Sequence, residues 1–276
     1  MHNWRVAVVD RLIVQWFEQN RRDLPWRHSD PWGVYVSEIM LQQTPVVRVL
    51  PAWHAWMDRW PTPSALADDS VGEAIRMWGR LGYPRRAKRL HAAAVMMRDD
   101  FGGRVPDSEA DLRTLPGVGE YTAAAVAAFA YGRDTTVVDI NVRRFLVRLL
   151  TGRDPAPSYS AAERALIETL RIEVPRAEWS AASMEFGALV CTARAPRCDQ
   201  CPLTSQCDWV STGERTTRPQ AYEGTDRQAR GAVLEVLRQG PVAGFEWHDE
   251  AQLQRALDGL LADGLIVRNG LWSLPG

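Results

Sequence analysis

The chain has 276 residues, 46% hydrophobic and 24% charged, which is typical of a globular protein of one large core or two to three domains. Its 33 basic and 34 acidic residues nearly cancel, so there is no overall attraction for nucleic acid and any basic surface must be local. No run of about 18 apolar residues could span a membrane, and MHNWRVAVVD lacks the apolar segment of a signal peptide, which predicts a cytoplasmic protein.

Residues 4 to about 190 are predicted to be mainly helical, because apolar residues recur there every three or four positions. Prolines and glycines separate the helical segments, and only 135–138 is predicted to be extended. The predicted helical segments are 6–17, 34–50, 72–78, 87–97, 121–131, 140–150 and 160–172.

The last quarter of the chain has a different pattern. A polar stretch, STGERTTRPQAYEG, predicts a linker over 210–224. Two amphipathic helices are predicted at 226–237 and 249–262, and LIVRNGLWSL predicts a β-hairpin turning at Asn269-Gly270. Helix, helix and hairpin together indicate a small winged-helix-like α+β module at 225–276.

All four cysteines lie close together in CTARAPRCDQCPLTSQC, at Cys191, Cys198, Cys201 and Cys207. In a chain without a secretory signal, this clustering favours a metal site over disulfides. Zinc usually takes two close cysteine pairs with a longer spacer, whereas these short, unequal spacings favour a loop around one cubane. The spacing resembles the [4Fe-4S] loop of the endonuclease III and MutY superfamily of DNA repair glycosylases, in which the cluster is mainly structural.

The stretch LPGVGEYTAAAV contains two glycines just before a predicted helix. Glycine permits close backbone approach, and amides at a helix start can bind a phosphate, although an ordinary helix start has the same pattern. LPGVG resembles the hairpin of the helix-hairpin-helix motif that defines the superfamily. The resemblance implies that Leu115, Gly117 and Gly119 hold a DNA phosphate.

The resemblance also implies an all-α, two-lobed fold. One lobe carries the iron–sulfur cluster and consists of 1–22 and 132–209. The other is a six-helix barrel lobe, 23–131, that contains the helix-hairpin-helix motif.

Asp139 lies in TTVVDINVRR, after an apolar run and just before a predicted helix, a position typical of an N-capping aspartate. In the superfamily, an aspartate at this distance from the hairpin stabilises the sugar cation that forms as the base departs, so both roles are expected. Asn141 matches the residue that orients this aspartate in the MutY branch. Ile140 departs from the small or polar residue expected between them.

Tyr121 separates the branches of the superfamily, and the resemblance implies that it lines the pocket and helps to position Asp139 or the sugar. Members that also cleave the strand have a lysine at this position, because a Schiff base with the sugar requires an amine. The only lysine of the chain, Lys88, lies in GYPRRAKRL, which is predicted to contact DNA or solvent. Lysine-based strand cleavage is therefore not expected, with the N-terminal amine as a formal alternative.

Glu38 lies in RRDLPWRHSDPWGVYVSEIMLQQT, which closely resembles the MutY signature. Its apolar neighbours predict burial, which raises a carboxyl pKa, and such an acid could protonate a purine ring nitrogen. Adenine is a poor leaving group, so this acid catalysis is what its removal needs. A solvent-facing helix glutamate is the alternative.

Four further residues have roles implied only by the resemblance. Gln43 would enter the duplex near the lesion opposite adenine, and Tyr83 would stack beside that lesion as a wedge. Arg27 would lie beside the extruded adenine, and Glu185, in SMEFGALVC, would contact it. For Gln43, Tyr83 and Arg27 ordinary packing is the alternative, and for Glu185 the alternative is a helix glutamate that faces solvent.

The resemblance spans residues 10 to 209 and implies a monomeric glycosylase that binds duplex DNA and removes adenine mispaired with 8-oxoguanine or guanine. The module at 225–276 is too short for the MutT-like domain that reads oxidised guanine in MutY proteins. One alternative is a thymine or uracil mismatch glycosylase of the same superfamily, which MLQQT disfavours. The other is a non-catalytic iron–sulfur DNA-binding or redox sensor, which has no need of both Glu38 and Asp139.

Overall fold

The computed structural model describes residues 9–207, 209 and 222–276, and these are mainly α-helical, as the sequence predicts. None of the helices in these ranges is long and apolar enough to cross a lipid bilayer. The helices are α1 (Val9–Asn20), α2 (Pro31–Leu41), α3 (Val46–Arg59), α4 (Pro63–Ala67), α5 (Val71–Trp78), α6 (Arg85–Asp100), α7 (Glu109–Leu112), α8 (Glu120–Tyr131), α9 (Ile140–Thr151), α10 (Ala161–Glu168), α11 (Arg176–Leu189), α12 (Asp226–Gln239) and α13 (Glu250–Ala262). The strands are β1 (Val267–Asn269) and β2 (Leu271–Ser273).

The single helix predicted at 34–50 is wrong, because α2 ends at Leu41 and α3 begins at Val46. Pro45 accounts for the break, since proline removes a backbone donor and disfavours the helical conformation of the residue before it. Gln43, within the break, has a positive φ of 56°.

Two other predicted segments also differ in part. The segment 135–138 belongs to no strand, and the Val137 N–H donates to Ser180 Oγ at 2.9 Å instead. The helix predicted to reach residue 172 ends at Glu168. The predicted linker lies outside the described residues except for 222–224.

The chain folds into two compact units. Unit 1 comprises Met1–His28 and Glu120–Thr217, and unit 2 comprises Ser29–Gly119 and Arg218–Gly276. The lobes predicted from the sequence have other bounds, with 120–131 in the barrel lobe and 225–276 as a separate module, and they stay a prediction. Alanines of α8 pack against Val137 and Met184, which accounts for the place of this helix in unit 1.

The core of unit 1 is formed by α1, α9 and α11. Ile13, Trp179 and Phe186 are at most 1% exposed, and the Phe145 and Phe186 rings meet edge to face with centroids 4.9 Å apart. Aromatic packing of this kind fixes helices firmly. It sets the start of α9, where Asp139 lies, and the end of α11, which leads into the cysteine loop.

The core of unit 2 surrounds α2. Trp56 of α3 packs edge to face against Trp60 and Trp78, with ring centroids 4.6 and 5.7 Å away. Helix α2 is buried on all sides, since residues 32–40 are all buried. A helix that is apolar all round must lie inside the fold.

The C-terminal residues of unit 2 form the predicted helix, helix and hairpin. Helices α12 and α13 pack through buried side chains such as Val233 and Leu260. Strands β1 and β2 pair antiparallel with Arg268 opposite Trp272, and the turn is centred on Gly270, whose φ is 76°. The backbone of Trp272 also pairs with Val242.

Candidate active site

Asp139 in unit 1 is the N-cap of α9, and both of its carboxylate oxygens are held. Oδ1 accepts hydrogen bonds from the backbone N–H groups of Asn141 and Val142, at 2.8 and 2.7 Å, and Oδ2 accepts from Asn141 Nδ2 at 2.6 Å. Desolvation raises the pKa of Asp139 above its ordinary value, although these hydrogen bonds partly offset the effect. The carboxylate is thus fixed at the positive end of a helix dipole.

Asn141 is oriented in turn by Arg144. The Asn141 Oδ1 accepts from Arg144 Nη2 at 2.9 Å, so its amide NH₂ faces Asp139. Arg144 also donates to the carbonyl of Gly187 at 2.6 Å and to that of Cys191 at 2.8 Å. A Cβ on Gly187 would lie 2.6 Å from the Asn141 carbonyl oxygen, so only glycine lets α11 approach α9 this closely.

Ile140 and Tyr121 lie in the same unit. Ile140, the departure from the family pattern, is 70% exposed, and the side chain of Asp139 is held despite it. Tyr121 is half-buried and packs against the cluster formed by the α8 alanines and Val137, two residues before Asp139. Its predicted place beside the sugar stays a prediction.

Glu185 lies in unit 1 against two arginines. It is 3% exposed and accepts from Arg22 through the backbone N–H at 2.9 Å, Nε at 2.9 Å and Nη2 at 2.7 Å. Arg27 Nη2 lies 3.2 Å from it, so the structure brings together the two residues predicted to meet the extruded adenine. Desolvation acts to raise the pKa of Glu185, but the hydrogen bonds and charges of the arginines outweigh it, and the pKa lies below its ordinary value.

Replacement of Glu185 by glutamine is expected to lower the free energy of unfolding by about 3 kcal/mol, because it breaks a buried ion pair. A depressed carboxyl pKa stabilises the fold above the unfolded value of about 4.3, and this stabilisation is lost as pH falls through the lower folded value. Urea unfolding at pH 7 and pH 3.5 should therefore show a difference from wild type that shrinks at the lower pH. The exposed Glu168→Gln serves as control, and a pH-independent difference would contradict the expectation.

Glu38 lies on α2 in unit 2 and is 7% exposed, so the alternative of a solvent-facing glutamate is wrong. The helix begins with Asp30 as N-cap, whose side chain accepts from the Gly33 N–H at 2.9 Å, and with Pro31 at its first position. The buried neighbours Val34, Ile39 and others surround Glu38 along the helix.

Gln43 and Tyr83 lie in two turns of unit 2, and they are the non-glycine residues with positive φ in the described ranges, at 56° and 48°. Tyr83 is 55% exposed. Positive φ is uncommon for residues with a side chain and often marks a functional site. The two predicted duplex-entering residues therefore share an unusual backbone conformation.

Arg86, which the sequence did not reveal, joins these two turns. It is 6% exposed, and its Nη1 donates to the Gln42 carbonyl at 2.6 Å while Nη2 donates to Thr44 Oγ1 at 2.8 Å and the Gly82 carbonyl at 3.1 Å. Its guanidinium also lies over the Tyr83 ring, 5.6 Å from the centroid. Burial lowers the pKa of Arg86 to about 10.

Replacement of Arg86 by lysine is expected to lower the free energy of unfolding by about 2 kcal/mol, since one ammonium cannot reach all the carbonyls and leaves buried acceptors unpaired. Urea denaturation measures this change. Arg104→Lys, at an exposed position, is the control and should be neutral. Equal stabilities of the two variants would contradict the expectation that the hydrogen bonds of Arg86 stabilise the two turns.

The hairpin before α8 has the geometry that its glycines predict. Leu115 is 2% exposed and anchors the hairpin, and its carbonyl accepts from the Val118 N–H at 3.1 Å. Gly117 has a φ of 86°, which favours glycine, and a Cβ on Gly119 would meet no atom within 4 Å. The backbone at Gly119 is therefore open to a ligand, and α8 begins at the next residue.

The four cysteines line one cavity of about 60 Å³ in unit 1. No disulfide joins any of the four. Arg148, 1% exposed, forms one wall, with its Nη1 3.6 Å from Cys191 Sγ and its guanidinium 4.1 Å from the Trp209 ring centroid. Four sulfur donors around one space, with apolar walls and a cation to balance thiolate charge, fit an iron–sulfur cluster.

Comparisons with known families agree with this geometry. Residues 36–171 match the HhH-GPD superfamily base excision DNA repair protein, and residues 191–207 match the iron-sulfur binding domain of endonuclease III.

Individual relatives match over most of the chain. The adenine DNA glycosylase of Mycobacterium tuberculosis is 48% identical, over 98% of this chain and 94% of that one. The adenine DNA glycosylase of Homo sapiens is 39% identical, over 71% of this chain and 38% of that one. Among solved structures, a thermostable thymine-DNA glycosylase aligns with a TM-score of 0.66 at 27% identity, over 75% of this chain and 97% of that one. A non-covalent endonuclease III–DNA complex aligns with a TM-score of 0.62 at 24% identity, over 74% of this chain and 94% of that one. This likeness supports the fold alone.

Proposed function

Because the chain belongs to the HhH-GPD superfamily of base excision DNA repair glycosylases, and within it to the adenine DNA glycosylases, we propose that it removes adenine mispaired with 8-oxoguanine or guanine. The observation that carries the proposal is the burial of Glu38, because an acid kept from water is what protonation of adenine requires. The cofactor is a [4Fe-4S] cluster bound by Cys191, Cys198, Cys201 and Cys207. It supplies a structural crosslink of the loop and takes no part in the glycosidic chemistry.

In the proposed reaction, Glu38 donates its proton to a ring nitrogen of the extruded adenine. The N-glycosidic bond then breaks, its electron pair leaves with the base, and positive charge develops on the sugar. The Asp139 carboxylate, held by three hydrogen bonds, stabilises this cation, and water adds to the sugar to leave an abasic site.

The remaining predicted residues have binding roles in this proposal. Gln43 and Tyr83 enter the duplex beside the base opposite adenine, and Arg27 and Glu185 line the pocket for the extruded adenine. Backbone amides of the hairpin bind a phosphate, with Leu115, Gly117 and Gly119 as its frame. We further propose that the enzyme acts as a monomer in the bacterial cytosol.

Strand cleavage is not part of the proposed activity, because position 121 has no amine. The Lys88 Nζ donates to the Asp263 carbonyl at 2.9 Å. The sequence predicts that Lys88 contacts DNA or solvent, and it does not predict this contact within the protein. We expect little covalent adduct when the wild type and Lys88→Arg are treated with borohydride on an adenine-containing duplex. Tyr121→Lys, the positive control, should give roughly tenfold more adduct on a gel. Efficient trapping of wild type that Lys88→Arg abolishes would contradict the proposal.

The substrate is tested by base release from three duplexes, which pair adenine with 8-oxoguanine, adenine with guanine, and thymine with guanine. Mass spectrometry of the free base under single-turnover conditions should detect adenine from the first two duplexes. Release of thymine alone would support a mismatch glycosylase instead. No release from any duplex, by holoprotein with its cluster intact, would favour a non-catalytic sensor.

A further inference from the structure

The C-terminal residues 222–276, called here the tail module, dock on α5 and α6 of unit 2. Arg238 Nη2 donates to the Gly79 carbonyl at 2.7 Å, and Arg76 Nε donates to the Arg238 carbonyl at 3.1 Å. On the other side, Asp263 Oδ1 lies 2.5 Å from Arg85 Nη2, and the Asp263 carbonyl accepts from Lys88. With the Arg80–Glu235 ion pair, the contacts thus fall at Arg80 and before it, and at Arg85 and after it.

Between these two sets of contacts lies the turn that carries Tyr83. Gly79, Gly82 and Tyr83 all have positive φ, at 53°, 84° and 48°. For tyrosine this conformation is strained, and it persists only where the surrounding structure holds it. Arg86 holds the inner side of the turn, and the tail module holds both of its ends.

The anchors of the tail module are shielded from water. The side chains of Asp263 and Arg238 are 10% and 12% exposed, and Asp263 also pairs with Arg230 inside the tail module. Arg85, the partner of Asp263 on α6, is 59% exposed, so this pair lies at the surface although Asp263 itself is shielded. The Arg80–Glu235 pair is more exposed still, since its arginine is 82% exposed. The Asp263 carbonyl also presents the negative end of α13 to Lys88.

The charge of the tail module argues against a phosphate-binding role of its own. Residues 222–276 contain eight acidic side chains and five arginines. Two of the acids, Glu235 and Asp263, face arginines of 80–85.

Residues at the end of the tail module also pack closely on α5. A Cβ on Gly72 would lie 2.1 Å from the Pro275 carbonyl oxygen.

We propose that the tail module is a positioning element of mispair recognition: by fixing both ends of the Tyr83 turn it holds the aromatic ring ready to stack in the duplex. Its partner is thus the 79–85 segment, and through that segment the base opposite adenine. For the role of Tyr83, the inference rests on the proposed function. For the hold of the tail module on the two ends of the Tyr83 turn, called the clamp, it rests on the docking contacts.

The clamp is tested by amide hydrogen exchange of the free holoprotein. Two variants loosen it by different means: Asp263→Ala removes an anchor, and Gly72→Ala displaces the chain end without removing any charge. Their matched controls in the tail module are Asp258→Ala and Gly244→Ala, at exposed positions away from the docking contacts. Exchange of amides 79–86 should be roughly tenfold faster in both loosened variants and unchanged in the controls. Unchanged exchange in the loosened variants would overturn the inference, whether or not the wild type releases adenine.

Recognition is tested on a duplex with a non-cleavable 2′-fluoro adenosine opposite 8-oxoguanine. The loosened variants should bind it roughly tenfold more weakly, a loss of about 1.4 kcal/mol, while binding to a fully paired duplex stays within about twofold. An equal loss on both duplexes, or no loss on either, would show that the tail module only covers the fold. Failure of the wild type to release adenine would contradict the proposed function separately.

Discussion

Asp139→Asn is expected to slow base release by roughly a thousandfold, the effect of losing the main electrostatic stabilisation of a charged transition state. The substitution removes the negative charge but keeps an oxygen that can accept from the Asn141 and Val142 N–H groups. Asparagine is as good an N-cap as aspartate, so α9 should still form. The measurement is the single-turnover rate of adenine release from a duplex with adenine opposite 8-oxoguanine.

The matched control for Asp139→Asn is Asp134→Asn, in the same segment and 83% exposed. It should release adenine at the wild-type rate, and both variants should melt within a few degrees of wild type. A rate for Asp139→Asn within tenfold of wild type would mean that Asp139 serves only as a helix cap.

Glu38→Gln is expected to slow adenine release by about 10²- to 10⁴-fold, the usual contribution of a general acid. Glutamine has nearly the same volume and fits the buried position on α2, but it has no proton to give. Duplex affinity should stay within about threefold of wild type, because the lost step is chemical and not binding. Single-turnover rates and fluorescence anisotropy measure the two effects separately.

Glu18→Gln, on an exposed face of α1, is the control for Glu38→Gln and should behave as wild type. A loss of binding that accounts for the whole loss of rate would contradict the role of Glu38 as an acid. So would full activity of Glu38→Gln, which would leave Asp139 alone to drive the departure of the base.

The parts of the site that sequence reasoning found are those carried by short local motifs. The cysteine loop, the hairpin glycines and the aspartate before α9 each lie in a short stretch, and the resemblance of that stretch to the superfamily implies its role. The prediction for Glu38 also used local information, since its apolar neighbours on α2 indicate burial. Local pattern predicted these features because a few consecutive residues create each of them.

The parts that sequence reasoning missed depend on residues far apart in the chain. Arg22 donates a hydrogen bond to Glu185, which lies 163 positions away in the chain, and neither local sequence indicates this partner. In GYPRRAKRL, nothing distinguishes the buried Arg86 from exposed Arg85 and Arg89. Docking of Asp263 on Lys88, 175 positions away, likewise arises only from the packing of α13.

The most direct test of the central claim is one single-turnover time course with the wild-type holoprotein and a duplex that pairs adenine with 8-oxoguanine. Each sample is divided, and only one half is treated with hot alkali before the strands are separated. The account predicts release of free adenine together with strand breaks at the adenine position that appear only after alkali, since the product is an intact strand with an abasic site. Breaks of equal yield without alkali, or no alkali-sensitive site at the adenine, would contradict it.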